Sequence, residues 1–397
     1  MSKLAKRMEH ISESITLATS AKSKKLIAQG IDIIGLGVGE PDFQTADTIK
    51  VAAIEAIQNG RASYYTPTAG LPTLRDAVRE RTLLDTGLVY SDAEVIVTDG
   101  AKNALYNLFQ AILNPKDEVL VLAPFWVSYT EQVKLAEGTP ILVNGQPEKD
   151  YKITVSELEE KRTNQTKALI LNSPSNPTGM IYTREELLEI GNWAVKHKIL
   201  IISDEIYGKL IYNGHEFISI ATLSDEIKRQ TILINGVSKT YAMTGWRIGY
   251  ALGDRDIIKG MIDVASHSTS NPTAASQYAA IEALNGNQEI VETMRLAFEE
   301  RLNIAYPLLA AIPGFEVIKP QGAFYLFPNV KKAATACGFD SVDAFVDGIL
   351  EEAHVAVVQG SGFGAKDNFR ISYAADLETL KTGIARIHQY VLKKMNN

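Results

Sequence analysis

Short apolar runs alternate with longer amphipathic stretches from residue 31 to residue 266, and this alternation constrains the fold more than any other feature. We predict strands at 31–38, 94–98, 119–123, 167–172, 199–204, 231–234 and 247–252. Several are apolar at consecutive positions, as in ILIIS at 199–203, which is typical of parallel strands buried on both faces. Amphipathic stretches lie between them, at 103–113, 183–196 and 254–266. The pattern predicts an α/β fold with a large, doubly wound, mostly parallel sheet.

The pattern changes after residue 270. Residues 272–312 have the periodicity of two or three helices, and the following apolar runs are short, at 315–317, 323–327, 354–358 and 369–374. Helical patterns return at 341–352 and 376–394. We therefore predict a large domain over 31–285 and a smaller α+β domain over 286–397, joined by a long helix. An N-terminal arm, residues 1–30, is expected to pack with the smaller domain.

Composition excludes several classes of function. Lysine and arginine total 40 against 47 acidic residues, so a net charge of −7 gives no support for binding nucleic acid or an anionic membrane. The single cysteine, Cys337, excludes an intramolecular disulfide framework and a cysteine-ligated zinc site, and no metal site is expected. The N-terminal segment lacks the apolar core of a signal peptide, and the most apolar run, 119–127, is far shorter than the roughly 20 residues of a membrane span. We expect a soluble, cytoplasmic protein whose partners are small molecules.

A lysine follows the strand predicted at 231–234. Lys239 is surrounded by serine, threonine and glycine residues, and Arg247 follows it in the same segment. Open α/β sheets bind ligands at the carboxyl ends of their strands, so this position suits a binding site. A partly desolvated lysine can form a Schiff base with a carbonyl group, and an arginine can bind a phosphate through two hydrogen bonds.

Polar residues also follow two neighbouring strands. Asp204 ends the strand at 199–204 and Tyr207 comes three residues later. The acid can cap a turn, or its carboxylate can pair with a cationic ring nitrogen. The rigid loop LNSPSNPTG at 171–179 contains Asn176, whose amide both donates and accepts hydrogen bonds.

A fourth strand end opens directly into a helix. Gly100 and Ala101 have minimal side chains, so an anion can approach the N–H groups of the helix closely. The four strand ends together offer an anion site, an asparagine, an acid–tyrosine pair and a lysine–arginine pair. This set predicts a pocket for a phosphorylated, cationic heteroaromatic aldehyde, which is pyridoxal 5′-phosphate.

The motifs GEPDF, YTPTAG, SNPTG, SDEIY, SKTYAMTGWRIGY and FRISYA occur in that order from about residue 40 to residue 374. Their order resembles the class I aminotransferases of fold type I, which depend on pyridoxal phosphate. The resemblance is strongest to the bacterial aspartate aminotransferases of the Ib branch. It implies a large, mostly parallel α/β domain that binds the cofactor, together with a smaller α+β domain.

The resemblance also implies residue roles. Lys239 would hold the cofactor as a Schiff base and carry the substrate proton, while Asp204 would keep the pyridine nitrogen protonated. Tyr207 and Asn176 would bind the phenolic oxygen. The residues implied in cofactor binding are Tyr65, Gly100, Ala101, Lys102, Trp126, Asn176, Asp204, Tyr207, Lys239 and Arg247. Catalysis is assigned to Lys239, Asp204 and Tyr207.

For the substrate, the resemblance implies that Arg370 binds the α-carboxylate in a fork, helped by the backbone of Gly39. Tyr65 would reach the cofactor phosphate of a neighbouring subunit, which implies a homodimer. The full set implied in substrate binding is Gly39, Lys102, Trp126, Asn176, Arg370, Ser14 and Thr16.

Two departures from the pattern of better-known relatives matter. Many relatives carry serine where this chain has Gly236, so one phosphate contact is expected to be missing. The segment 266–272, where another branch has an arginine for the distal carboxylate, contains no arginine. Lys102 stands in the place that the Ib branch uses for this task, with Ser14 and Thr16 as assisting residues.

The expected activity is therefore transfer of the amino group of L-aspartate to 2-oxoglutarate, giving oxaloacetate and L-glutamate. An aromatic amino acid or prephenate aminotransferase is one alternative, because this fold accommodates neutral side chains with small changes. A pyridoxal phosphate-dependent β-lyase or decarboxylase is another. A cofactor-binding regulator is disfavoured by the short N-terminal arm.

Overall fold

The computed structural model describes residues 3–396. Its strands are β1 (Ile34–Gly35), β2 (Val95–Thr98), β3 (Glu118–Ala123), β4 (Thr139–Asn144), β5 (Thr166–Asn172), β6 (Leu200–Asp204), β7 (Thr231–Gly236), β8 (Gly249–Leu252), β9 (Tyr325–Leu326), β10 (Val355–Ala356), β11 (Val358–Gln359) and β12 (Phe369–Ser372).

The α-helices are α1 (Ile15–Ala28), α2 (Asp47–Gln58), α3 (Pro72–Thr86), α4 (Ala101–Ile112), α5 (Ser128–Leu135), α6 (Val155–Lys161), α7 (Arg184–His197), α8 (Asp225–Arg229), α9 (Arg255–Ser266), α10 (Ala274–Asn285), α11 (Glu289–Ala310), α12 (Lys331–Ala336), α13 (Val342–Glu352) and α14 (Leu377–Met395). No described helix combines the length and the apolar character needed to cross a lipid bilayer.

The main sheet has seven strands in the order β2-β8-β7-β6-β5-β3-β4. Strand β8 runs antiparallel to both of its neighbours, β2 and β7, and the other pairs are parallel. This is the doubly wound, mostly parallel sheet that the alternating sequence pattern predicts. Because parallel strands share one direction, their carboxyl ends meet along one edge of the sheet.

Helices cover both faces of this sheet. Ile202 of β6 packs in a core cluster with α4 and α9, whereas the adjacent Ile201 packs in a cluster with α7. Successive side chains of a strand point to opposite faces, so a strand buried on both sides is apolar at consecutive positions. The ILIIS run therefore has the structural role that its composition indicates.

Strand β4, at the edge of the main sheet, is absent from the sequence prediction. It contains Pro140, and proline within a run argues against a central strand because it cannot donate to the ladder. At a sheet edge this restriction is relaxed, since one side of the strand has no partner. Among the apolar residues of β4 only Val143 is buried, whereas Pro140 and Ile141 are partly buried and Leu142 is exposed.

The prediction of a strand over residues 31–38 is wrong in the length of the strand and in the sheet to which it belongs. Only Ile34–Gly35 pairs, and its partner is β10, in a separate two-stranded parallel sheet. The segment therefore connects the N-terminal region to the C-terminal region instead of joining the main sheet. The run FEV at 315–317 forms a single bridge, between Glu316 and Asn329, and no strand.

The C-terminal region contains a three-stranded antiparallel sheet in the order β11-β12-β9. A large core cluster links it with α11, α13 and α14, and the buried aromatic residues of this cluster include Phe298, Phe324, Phe345 and Phe369. The 22-residue helix α11 leads into this region. The domain boundaries at residues 30 and 285 stay a prediction.

The N-terminal arm contacts α13, since Lys22 of α1 forms ion pairs with Asp347 and Glu351. It also contacts α5, because the backbone N–H of Ser12 donates to Glu131. This placement brings the start of α1 to the edge of the main sheet where the strand ends meet.

Candidate active site

A cavity of about 510 Å³ lies at the carboxyl ends of the main-sheet strands. Eleven of the residues singled out from the sequence line it: Thr16, Gly39, Ala101, Lys102, Trp126, Asn176, Asp204, Tyr207, Lys239, Arg247 and Arg370. Residues separated by more than 300 positions in the chain thus meet in one place.

Three of the singled-out residues do not line the cavity. Ser14 lies next to it, and its hydroxyl shares a 2.8 Å hydrogen bond with that of Thr16. Gly100 lies beneath Arg247, as described below. Tyr65 is 91% exposed on the surface of the chain.

Lys239 extends from the segment after β7 into the cavity. Its Nζ donates a 2.6 Å hydrogen bond to the carbonyl of Gly39. Burial lowers the pKa of Lys239 to about 8, and the charges of Glu40 and Asp204 oppose this shift only in part. The neutral, nucleophilic amine is therefore far more populated near neutral pH than it would be in a lysine with the ordinary pKa.

Asp204 ends β6 with its carboxyl group fully enclosed. Tyr129 of α5 donates to Oδ2 at 2.7 Å, and the backbone N–H of Ile206 donates to Oδ1 at 3.2 Å. Burial raises the pKa of Asp204 to about 6, against the lowering effect of these hydrogen bonds. A buried carboxylate of this kind is stabilised by pairing with a cationic N–H group, and a protonated ring nitrogen can supply that group.

Trp126 and Lys102 form a second wall of the cavity. The Trp126 ring packs edge-on against Tyr129, with centroids 5.3 Å apart, and Nζ of Lys102 lies 4.9 Å from the centre of the Trp126 ring. Burial, and then the charge of Arg247, lowers the pKa of Lys102. An anionic group at this wall would oppose this shift, because it stabilises the charged amine.

Arg370 of β12 is 2% exposed. Its Nη1 donates to Oδ1 of Asn176 at 3.0 Å and its Nη2 to the carbonyl of Gly37 at 2.8 Å. Its Nε is buried without a hydrogen-bond partner, and among residues 3–396 no carboxylate pairs with it. A buried guanidinium is costly unless an anion pairs with it, so this arginine fits a carboxylate ligand.

The first turn of α4 and the side chain of Arg247 lie together at the cavity. Gly100 precedes the helix with φ +87°, and a Cβ at this residue would lie 2.3 Å from Nη2 of Arg247. Nη2 donates to the carbonyl of Asp99, and Nη1 to that of Thr244. The glycine thus lets a guanidinium lie against the start of a twelve-residue helix, where both favour a phosphate.

Gly236 is also required by close packing. A Cβ there would lie 2.9 Å from both Cα of Gly249 and the carbonyl oxygen of Ile248. Serine at this position would therefore need the β7–β8 pair to move. The departure from relatives with serine has a local steric reason in this chain.

Two tyrosines of the site are missing from the sequence prediction. Tyr129 contacts Asp204 as described, and the hydroxyl of Tyr325 of β9 lies 2.8 Å from that of Tyr207. Tyr129 lies three residues after Trp126, in the first turn of α5, and Tyr325 is the one residue with a hydroxyl in the apolar run AFYLF. These two placements are the only sequence signals that could have indicated the two tyrosines.

Comparison with known proteins gives a consistent result. Residues 31–387 match the family described as aminotransferase class I and II. The chain is 58% identical over 388 residues to an aspartate aminotransferase of Bacillus sp. (strain YM-2), which covers 98% of this chain and 99% of the relative. It is 55% identical over 393 residues to the asparagine–oxo-acid transaminase of Streptococcus mutans, covering 99% and 100%.

A solved structure, that of the aspartate aminotransferase from Thermus thermophilus with maleate, superposes on the chain with a TM-score of 0.92. The two are 41% identical, and the match covers 98% of this chain and 100% of the other. The fold is therefore shared over nearly the whole chain.

Proposed function

The chain belongs to the aminotransferases of class I and II, and we propose that it transfers the amino group of L-aspartate to 2-oxoglutarate with pyridoxal 5′-phosphate as cofactor. The products are oxaloacetate and L-glutamate. One observation carries the choice of substrate: Arg370 and Lys102 line the same cavity as Lys239, and within residues 3–396 neither cation forms an ion pair. Two unpaired cations fit a ligand with two carboxylates.

The residues of the cavity fit the proposed cofactor. Lys239 would attach it, Asp204 would pair with its ring nitrogen, and Tyr207 and Asn176 would bind its phenolic oxygen. The phosphate would lie at the start of α4 with Arg247, where the absence of a side chain at Gly100 leaves room for the guanidinium. When bound, the cofactor supplies a cationic ring that accepts the electron pair released as the substrate Cα–H bond breaks.

The chain itself moves the proton. With its pKa lowered to about 8, Lys239 has an amine that can take a proton from the substrate Cα and return it at the end of the transfer. Asp204 holds the opposing negative charge in a dry environment, where its interaction with a ring cation is strong. Trp126 closes the cavity beside the ring position.

Arg370 fixes the α-carboxylate. Its two terminal nitrogens are already oriented by Asn176 and Gly37, so little side-chain freedom remains to be lost when the substrate binds. The amino acid would then present its Cα–H bond to Lys239 in one orientation.

A substrate panel tests the proposal. We expect kcat/KM to be highest for aspartate among aspartate, asparagine, phenylalanine and prephenate, each with its matching oxo or amino acid partner. Asparagine enters the panel because the relative from Streptococcus mutans is named for it. A preference for phenylalanine or prephenate over aspartate would show that Lys102 does not select a dicarboxylate.

A Lys102→Met variant sharpens this test. Loss of one charge–charge contact in a partly buried site costs about 2–5 kcal/mol, so kcat/KM for aspartate should fall by at least about thirtyfold. The value for phenylalanine should change by less than about threefold, since its side chain makes no ion pair. Product analysis tests the lyase alternative. Transamination gives equal amounts of the oxo acid and glutamate, so pyruvate and ammonia as products would contradict it.

We further propose a homodimer in which Tyr65 contributes to the partner's site. Tyr65 and the adjacent Tyr64 are 91% and 78% exposed, and α2 carries exposed apolar residues at Val51, Ile54 and Ile57. Large apolar side chains grouped on one surface favour an interface. Such an interface would cover the surface near Tyr65.

Mixed dimers test this arrangement. Tyr65→Ala and Lys239→Ala subunits are each impaired when alone, but a mixed dimer regains one site that has both residues. We expect activity above that of either parent after the two are unfolded and refolded together. Activity equal to the average of the parents would place Tyr65 in its own subunit's site or outside any site.

A further inference from the structure

Two buried phenols form a hydrogen-bonded pair at the wall of the cavity. The hydroxyls of Tyr207 and Tyr325 are 2.8 Å apart, and both residues are buried. Among the described residues, the Tyr325 hydroxyl has no other hydrogen-bond partner. Tyr325 carries no role in the sequence motifs, so the structure alone brings it into the site.

Each phenol has one proton, so the pair has two arrangements. If Tyr207 donates to Tyr325, the Tyr325 proton is left without an acceptor in the part of the chain that the structure describes. If Tyr325 donates to Tyr207, the Tyr207 oxygen accepts that hydrogen bond and the Tyr207 proton is free to point into the cavity. Both residues line the cavity, so either free proton can point into it, and counting hydrogen bonds alone does not choose between the two arrangements.

Arg370 favours the second arrangement, in which Tyr325 donates to Tyr207. Its guanidinium carbon lies 4.4 Å from the centre of the Tyr325 ring, so a positive charge faces that ring. A nearby cation stabilises negative charge on the phenol oxygen, which makes Tyr325 the stronger hydrogen-bond donor of the two. No comparable cation–ring contact involves Tyr207 in the described chain.

Gly39 gives Tyr325 the room to take this position. A Cβ at Gly39 would lie 2.6 Å from the Tyr325 hydroxyl oxygen, which is closer than such atoms approach in real structures. The same glycine accepts the hydrogen bond from Lys239 through its carbonyl. The phenol is therefore held among the groups that the proposed chemistry uses.

We propose that Tyr325 is a positioning residue that donates its hydroxyl proton to Tyr207 and thereby directs the Tyr207 proton toward the phenolic oxygen of the cofactor. This inference rests on the proposed function, because it needs pyridoxal phosphate in the cavity. It assigns Tyr325 a role that is exerted only through Tyr207. Without the Tyr325 hydroxyl, Tyr207 can turn its proton elsewhere, and its contact with the cofactor weakens.

The test compares two cofactors on one variant. Tyr325→Phe keeps the ring and removes the hydroxyl. We expect the apoprotein of this variant to bind pyridoxal 5′-phosphate about threefold to tenfold more weakly than the wild type, the effect of one neutral hydrogen bond. Its affinity for 3-deoxypyridoxal 5′-phosphate, which lacks the phenolic oxygen, should change by less than about twofold, since that contact cannot form.

The analogue also reports whether the variant folds, because only a formed cavity binds it. Tyr207→Phe should show a larger loss selective for pyridoxal phosphate, and the double variant should be no weaker than Tyr207→Phe alone. Tyr373→Phe is the matched control: it removes another buried hydroxyl of the same core cluster, one that donates to the Ala323 carbonyl and does not line the cavity. This control should bind both compounds as the wild type does.

An equal loss for both compounds in Tyr325→Phe would show a purely structural role and overturn the inference, and so would no loss for either. Transamination of aspartate is not a readout in this test. A wild-type chain that binds pyridoxal phosphate but does not transaminate aspartate would refute the proposed substrate and leave the comparison of Tyr325 variants intact.

Discussion

The hydroxyl of Tyr129 donates a 2.7 Å hydrogen bond to Oδ2 of Asp204, and both residues are buried. A hydrogen bond to a charged group contributes about 1.5–3 kcal/mol, so Tyr129 stabilises the ionised form of Asp204. In Tyr129→Phe the pKa of Asp204 should rise further above its ordinary range. We expect kcat/KM for aspartate to fall about tenfold to hundredfold.

Steady-state kinetics and cofactor dissociation measure this effect. Tyr90→Phe is the control, because the Tyr90 hydroxyl is buried without a hydrogen-bond partner among the described residues, and its removal breaks no bond. An effect of Tyr129→Phe no larger than that of Tyr90→Phe would show that Asp204 does not depend on this donor.

The amine of Lys239 should react at a lower pH than other lysines. Only the neutral amine is nucleophilic, and burial lowers the pKa of Lys239 from the ordinary 10.5 to about 8, so half of it is neutral at about pH 8. In the apoprotein, labelling with an amine-specific reagent, followed site by site with mass spectrometry, should show a midpoint near this pH. Lys259, whose pKa is raised by Asp263, is the internal reference and should label only at higher pH. A shared midpoint for both lysines would contradict the assigned environment.

Asp204 should make the apoprotein less stable as the pH rises. Its pKa is about 6 in the folded chain and 3.8 ordinarily, so between these values the folded state binds more protons than the unfolded state. Stability therefore falls as the pH increases through this window, and the loss persists above it. In Asp204→Asn this term is absent, so urea unfolding should show the variant gaining stability relative to the wild type between pH 4 and pH 7. A constant difference between the two proteins over that range would refute the buried, raised pKa.

Arg370 should not tolerate lysine. Lysine keeps the charge but loses the planar fork that Asn176 and Gly37 orient. We expect kcat/KM for aspartate to drop by about thirtyfold to several thousandfold in Arg370→Lys, equivalent to about 2–5 kcal/mol. Arg386→Lys, at a surface ion pair with Asp32, should change activity by less than about twofold. A loss below about threefold at Arg370 would show that it does not bind the substrate carboxylate.

Gly100→Ala should weaken phosphate binding through a steric effect on Arg247. The new Cβ would lie 2.3 Å from Nη2 of Arg247, and the residue has φ +87°. Gly87→Ala separates these two causes, since Gly87 has φ +77° and no atom within 4 Å of the added Cβ. Both variants should lose about 1 kcal/mol of stability from backbone strain. Only Gly100→Ala should show weaker binding of pyridoxal phosphate, and equal binding by both variants would refute the role of this contact.

Much of the site follows from local sequence signals. Asp204, Lys239 and Gly100 each stand at the end of a strand that can be predicted from its apolar run, and the parallel sheet then brings those ends together. Partners contributed by distant segments cannot be predicted in this way. Tyr129 meets Asp204 across 75 residues and Tyr325 meets Tyr207 across 118, and no local pattern specifies either contact.

The fold shows the same limit. The strands of the main sheet have strong apolar patterns and can be predicted from them. Strand β4 is the exception, because its proline interrupts the pattern. The run at 31–38 has an equally apolar pattern, yet only two of its residues pair, with β10. An apolar run indicates that a segment is buried, whereas its partner depends on how the two ends of the chain meet.

The hydrogen bond between Arg370 and the Gly37 carbonyl joins positions 333 residues apart. A ribosome adds about 5–20 residues per second, so during synthesis Gly37 precedes its partner by roughly 17–67 s. The last strand of the main sheet ends at Leu252, so the sheet can form while the proposed carboxylate site still lacks its arginine. If Arg370 has the proposed role, a message truncated ahead of β12 would therefore yield a chain that has Lys239 but lacks the arginine for the α-carboxylate of the amino acid.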